Sequence, residues 1–280
     1  LRQTLDRTVI GHDQSPPRGL LNKARSLQKF ELVRLAPSED LAAYIEHFWL
    51  VLWDLRGAGP YTQENLPHPT QHLVVDPVGG TGIFGLQRAK FTYTLKDAGA
   101  VIGTKFRPGL FRGFLGRSMD TITDKAVPIG EVFDVSDATL DQRFAALADP
   151  AGMADEVETL LRRRMPAPDA RALEVSAQVA LIAETRDLCS VSALARRSGV
   201  SARTLQRQFE SYVGVGPKWV IDRYRMIEAV EALNRNEELS LTALAHALGY
   251  FDQAHFSKAF LALTGKTPSH YRRQAAPAGP

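Results

Sequence analysis

The chain has a single cysteine, Cys189, among 280 residues. One thiol forms no internal disulfide, which excludes a disulfide-stapled scaffold and a Cys-based structural zinc site. No run approaches 18 consecutive apolar residues, so no membrane-spanning helix is expected. The first residues lack the basic-then-apolar layout of a signal peptide, and the expectation is a soluble, cytoplasmic protein. There is no Gly-x-Ser-x-Gly elbow, phosphate loop or Gly-x-Gly-x-x-Gly fingerprint, so no enzyme and no cofactor are expected. Charge is short as well. The net is +3, and residues 1–168 contribute none of it, with 20 basic against 20 acidic side chains. The last 112 residues carry 14 against 11. An excess of that size is too small to bind nucleic acid by bulk charge.

What is present divides the chain into two textures. Short apolar runs punctuated by Gly and Pro predict strands over Phe30–Leu35, Phe48–Leu52, Gln71–Asp76, Ile83–Leu86, Phe91–Leu95 and Ala100–Phe106. Strands at this spacing suggest a small β-barrel or sandwich. A short helix is expected after Ser38, and helical periodicity sets in over Asp137–Ala148 and Ala151–Arg164. Pro166 and Pro168 then block continuation of the helix, because proline lacks an amide donor and restricts its predecessor. The expected organisation is a flexible leader over 1–26, a first domain over 27–165, a linker at 166–168, an all-helical domain over 169–274 and a disordered tail over 275–280. The fold class expected is α+β in two domains.

The helical part contains a repeat. Leu194-Ala195 recurs as Leu244-Ala245, and Gly199 as Gly249, 50 residues on. Past the glycines the offset is 51, relating Leu205 to Phe256, Phe209 to Phe260, Gly214 to Gly265 and Pro217 to Pro268. Each unit reads as a short helix, a glycine that closes it, an N-cap (Ser201 or Asp252) and a second helix. On those second helices Leu205 and Phe209, or Phe256 and Phe260, face inward. The opposite faces carry Arg203, Gln206 and Arg207 in the first unit, and Gln253, Ala254, Ser257 and Lys258 in the second. Arg forks onto guanine, Gln pairs with adenine, and Ser and Lys reach bases or phosphates. The pattern is two helix-turn-helix units. Residues 217–234 between them predict a helix of roughly 27 Å at ~1.5 Å per residue. Successive major-groove faces on one side of DNA lie about 34 Å apart, so one chain can address two of them.

These residues resemble the C-terminal DNA-binding domain of the AraC/XylS (arabinose-regulator) family of bacterial transcription regulators. The resemblance runs through Leu205-Gln206-Arg207-Gln208-Phe209, residues 249–260 and residues 265–273, and covers about 170–274. It implies base contacts by Arg203, Gln206, Arg207, Gln253, Ala254, Ser257 and Lys258, and backbone contacts by Ser201, Lys218 and Thr267. Ala254 departs from the larger polar residue sometimes found at its position. The implied partners are double-stranded promoter DNA and RNA polymerase. Residues 44–49, 68–72 and 103–109 resemble, more loosely, the β-rich, cupin-like effector or dimerisation domains of that family. That resemblance implies a small-molecule effector, a homodimer, or both, with Phe48, Trp49, Trp53, Phe106 and Arg107 lining a pocket.

Other features are expected to be structural. His68 and His72 are four apart, but Pro67 and Pro69 break any helix that would align them as metal ligands, so no metal site is expected. Cys189 follows apolar Leu188 and reads as a buried, inert thiol. Arg162–Arg164 read as a solvated helix end. The competing interpretations are a cupin-like, metal-dependent enzyme fused to a DNA-binding tail and a dimeric regulator without an effector.

Overall fold

The computed structural model describes residues 8–10, 17–147, 149–235 and 240–275. The β-rich front part comprises α1 (Lys23–Ser26), β1 (Glu31–Leu35), β2 (Ile45–Asp54), β3 (Tyr61–Asn65), β4 (His72–Val75), β5 (Gly82–Phe84), β6 (Phe91–Leu95), β7 (Ala98–Phe106), α2 (Arg112–Leu115) and β8 (Ala126–Val127). It is completed by α3 (Asp137–Ala146) and α4 (Met153–Arg162). The helical back part comprises α5 (Ala170–Glu184), α6 (Val191–Ser198), α7 (Ala202–Tyr212), α8 (Pro217–Asn234), α9 (Leu241–Ala247), α10 (Gln253–Thr264) and α11 (Pro268–Ala275). The chain is α+β.

The front part is built on a six-stranded antiparallel sheet in the order β1-β2-β7-β4-β5-β8, with β3 and β6 paired separately. Alternation along the strands gives the larger sheet two unlike faces. Phe48, Leu50, Leu73, Ile102 and Phe106 point to one face, where α3 and α4 cover them through Leu140, Phe144, Val157 and Leu161. Trp49, Val51, Trp53, Val74 and Val101 point to the other, against Tyr61, Tyr93 and Leu95 of the small sheet. β3 escaped sequence reading because its run, Tyr-Thr-Gln-Glu-Asn, is polar. It is held by its ladder to β6 and by the Thr62–Thr94 hydroxyl pair across it.

The flexible leader expected over 1–26 is corrected where it is described; residues 1–7 and 11–16 lie outside the described residues. Residues 17–26 are docked. Leu21 is buried in the back part's core, Gly19 N–H donates to Glu231 at 2.8 Å, and Asn22 N–H donates to the Tyr271 hydroxyl at 2.9 Å. The reason lies in partners distant in sequence, which local composition does not reveal. The tail expected over 275–280 falls, from 276 on, outside the described residues, and Ala275 closes α11.

Front and back share more than a chain connection. Leu66 and Leu86 join Leu21 in the back core. The Gln71 amide donates to Val213 O at 3.0 Å, and the Thr123 hydroxyl donates to Gly214 O at 2.8 Å. Arg223, 3% exposed in the middle of α8, donates to Pro67 O at 3.2 Å and to Arg88 O. Its guanidinium also stacks on Trp219, 4.5 Å from the ring centre. Burial pushes this group down to about 10 despite nearby Asp124. Arg162 closes α4 as an exposed helix end and also forks onto Asp40 at 2.7 and 2.9 Å and reaches Glu158 at 3.0 Å.

Candidate nucleic-acid interface

The repeat seen in the sequence reappears as repeated hydrogen bonds. Ser190 caps α6 by accepting from Ala193 N–H at 3.2 Å, and Ser240 caps α9 by accepting from Ala243 N–H at 3.0 Å. Gly199 (φ 67°) ends α6, and Gly249 (φ 77°) follows α9. Both lie in the left-handed region that glycine adopts without penalty. The next residue folds back the same way in each, Val200 N–H to Ala195 O at 3.3 Å and Tyr250 N–H to Ala245 O at 3.0 Å. Ser201 then caps α7 through Thr204 N–H at 3.1 Å, and Asp252 caps α10 through His255 N–H at 2.7 Å. Gly214 and Gly265 precede helices α8 and α11, which begin at Pro217 and Pro268. α11 is therefore the counterpart of the first turns of α8, a helix the repeat implied but the expected helices did not include.

α7 buries Leu205, Gln208 and Phe209 and leaves Arg203, Gln206 and Arg207 exposed. α10 buries Phe256 and Phe260 and leaves Gln253, Ala254 and Lys258 exposed, with Ser257 half-buried. The side chains of Arg203, Arg207 and Lys258 make no ion pair or hydrogen bond with another described residue. The polar neighbours are lightly tied. The Gln206 amide donates to Glu210 at 2.7 Å, and Thr242 donates to the Gln253 carbonyl at 2.9 Å. Lys218 pairs with Asp222 at 2.6 Å across one helical turn, an exposed pair worth at most about 0.5 kcal/mol. Ser201 and Thr267 are exposed, and their hydroxyls already serve the N-termini of α7 and α11.

The five residues expected to line one effector pocket do not converge. Phe48 and Phe106 are fully buried on the helix-covered face of the sheet, Trp49 and Trp53 lie on the opposite face, and Arg107 is exposed and donates to Ala42 O at 2.8 Å. The alternation of side chains along β2, which separates 48 from 49, is the physical reason. Sequence reasoning missed a polar row on the tryptophan face, where strand register sets His47 beside Lys105 and Lys105 beside His72. Lys105 pairs with Glu46 at 2.8 Å, and Trp49 Nε1 donates to His72 Nδ1 at 3.2 Å. The alternation of β2 and β4 with the partners of β7 would have exposed this row once the strand order was known.

Burial, then the positive charge of Lys105, holds both His47 and His72 down at about 3. Arg34 and Arg107 add to this for His47, while Glu46 opposes it for His72. In the unfolded chain each imidazole takes its proton near pH 6.5. Stability is therefore complete above about pH 6.5 and falls as pH drops toward 3, by up to about 1.4 kcal/mol per pH unit for each histidine. Urea midpoints measured from pH 7.5 to 5.0 should fall, and His72→Gln should flatten that fall. An unchanged slope in the variant would mean that other groups set it.

His68 lies in the loop before β4, with Nε2 3.2 Å from Arg18 O. No cluster of three or more His, Cys, Asp or Glu side chains suited to a metal ion occurs among the described residues. No helix of the described residues is long and apolar enough to cross a membrane. Cys189 is half-buried rather than buried, its Sγ 3.5 Å from Arg186 O and 3.9 Å from Leu248 O. It lies under the second turn, where a Cβ at position 249 would meet Sγ at 2.6 Å.

Comparison with known proteins divides the chain at the same change of texture. Residues 194–274 match the family described as "Helix-turn-helix domain", and residues 33–128 match a "Domain of unknown function (DUF6597)". The transcriptional activator RhaS of Pectobacterium carotovorum is 37% identical over 82 residues, 29% of either chain. A putative AraC-like transcription regulator of Streptomyces antibioticus is 35% identical over 88 residues, 31% of this chain and 29% of that one. The chain thus spans less than a third of the length of these curated relatives. A solved AraC-type transcriptional regulator from Chromobacterium violaceum is 27% identical, with a TM-score of 0.35, over 38% of this chain and 96% of that one. Residues 194–274 thus match a helix-turn-helix domain family, and about 30% of the chain is similar to part of the AraC-like transcription regulators.

Proposed function

We propose that the chain is a sequence-specific DNA-binding transcription regulator. In this reading α6–α7 and α9–α10 are two helix-turn-helix units, and α7 and α10 enter successive major-groove segments of one promoter. The observation that carries it is the pair of helix pairs capped at corresponding positions, each presenting an exposed polar face with a cation unpaired among the described residues, Arg203 and Arg207 on one and Lys258 on the other. Gln206, Gln253, Ala254 and Ser257 complete the base-reading faces. Ser201, Lys218 and Thr267 hold flanking phosphates. The front part, read as a small cupin-like sandwich, takes a small-molecule effector or a second copy of the chain, and bound DNA presents the protein to RNA polymerase.

The test is in vitro selection of duplexes by the full chain, followed by titration of the selected duplex against salt. Affinity should fall linearly on a log–log plot, with a slope of about −0.9 for each neutralised phosphate. Lys218→Ala should reduce that slope by about one unit and leave the selected sequence unchanged. Failure to enrich any sequence would overturn the DNA-reading proposal.

A further inference from the structure

The two repeated units differ in length by one residue, and the extra residue is Phe251. In the first unit Val200 is followed at once by the N-cap Ser201, whereas in the second Tyr250 and the N-cap Asp252 are separated by Phe251. An apolar residue just before an N-cap ordinarily folds down onto the fourth residue of the helix, here Phe256, and fixes the entry of the chain. Tyr250 has taken that place. Its ring lies 5.5 Å from Phe256 and 5.2 Å from His255. Phe251 is left 87% exposed and joins no buried cluster. Full burial of such a side chain would be worth about 2 kcal/mol, so the extra residue contributes nothing to folding where it stands.

We infer that Phe251 reads a thymine by apolar contact with its C5-methyl group, extending the base-reading face of α10. The inference rests on the DNA-binding reading above. The N-terminal residues of a recognition helix are the ones that meet base edges. Phe251 directly precedes Asp252, the N-cap of α10, and the first turn that follows carries exposed Gln253 and Ala254. A phenyl ring has no donor or acceptor, and the one apolar group displayed in the major groove is the thymine methyl. Ala254, too small for hydrogen-bonded readout, adds to the same apolar surface. The first unit has no residue at this place, so the thymine preference belongs to the half-site read by α10 alone.

The experiment uses duplexes selected by the full wild-type chain. Phe251→Ala should lose preference for one thymine in one half-site while the rest of the selected sequence persists. Replacing that thymine with deoxyuridine, which removes only the methyl group, should weaken wild-type binding about fourfold, the worth of roughly one buried methyl. The same replacement should leave Phe251→Ala unaffected, and Phe251→Leu should retain part of the sensitivity. Equal binding of both duplexes by the wild type overturns the inference. So does unchanged selection by Phe251→Ala, including the case in which that variant instead alters the mass of the protein in solution. Neither outcome touches the DNA-binding reading, which fails only if the wild-type chain selects no sequence at all. Because Phe251 is exposed, thermal melting of the alanine variant should match the wild type.

Discussion

The double variant Arg207→Ala/Lys258→Ala should bind its selected duplex between about 30-fold and about 20,000-fold more weakly than the wild type. In the proposed reading each side chain supplies one base contact of about 1–3 kcal/mol, and the two lie on different helices, so their losses should add. Folding should be untouched. Both side chains are exposed and form no bond to another described residue, which places the cost of removal within about 0.5 kcal/mol. Fluorescence anisotropy on a labelled duplex gives the affinity, and a thermal melt gives the stability. A folded double variant that binds as the wild type does would remove α7 and α10 from the role of reading heads. The single variants distinguish the heads, because loss of one should relax selection in only one half-site.

The largest effect on stability is expected at Arg223→Ala. Arg223 is buried and charged, and it bridges α8 to two front-part carbonyls, Pro67 O and Arg88 O. Removing the guanidinium strands both carbonyls and exposes one face of Trp219. Hydrogen bonds from a charged donor are worth about 1.5–3 kcal/mol each and the stacked ring adds about 1 kcal/mol; relief of the guanidinium's own desolvation offsets part of this, so a loss of roughly 2–4 kcal/mol is expected. The shape of the transition is as informative as its midpoint. Front and back share one core through Leu21, Leu66 and Leu86, so the wild type should unfold in urea as one cooperative unit. Arg223→Ala should shift the midpoint downward and separate the front and back transitions, read by fluorescence and circular dichroism respectively. A single, unshifted transition would mean that Arg223 is dispensable to the junction.

Much of the helical part was legible because its rules are local. Ser201 and Asp252 are N-caps by chemistry, Gly199 and Gly249 close helices by conformational freedom, and the offset of 50 then 51 aligned one unit with the other. The strands with apolar runs were legible for the same reason, and β6 lies at its expected bounds, Phe91–Leu95. What escaped depended on partners far away in the chain. β3 is polar and exists because β6 pairs with it. Leu21 belongs to a core whose members lie at Leu66, Leu86 and beyond residue 174, so residues 17–26 looked like a leader. The expected pocket failed at a single step of alternation: Phe48 and Trp49 are neighbours in sequence and occupy opposite faces of the sheet. The Lys105 row could be assembled only after the order β2-β7-β4 was known.

α8 has 18 residues in one uninterrupted helix, and Arg223 pins its first half to the front part. A helix advances about 100° of rotation with every residue, and DNA advances about 34° with every base pair. A connector of this stiffness fixes the angular phase between α7 and α10 as well as their separation. One base pair inserted between the half-sites would turn the second recognition surface away by about a tenth of a helical turn, and α8 has no joint with which to follow. If the proposed reading holds, promoters bound by this protein should therefore keep the spacing between half-sites more strictly than they keep any single base.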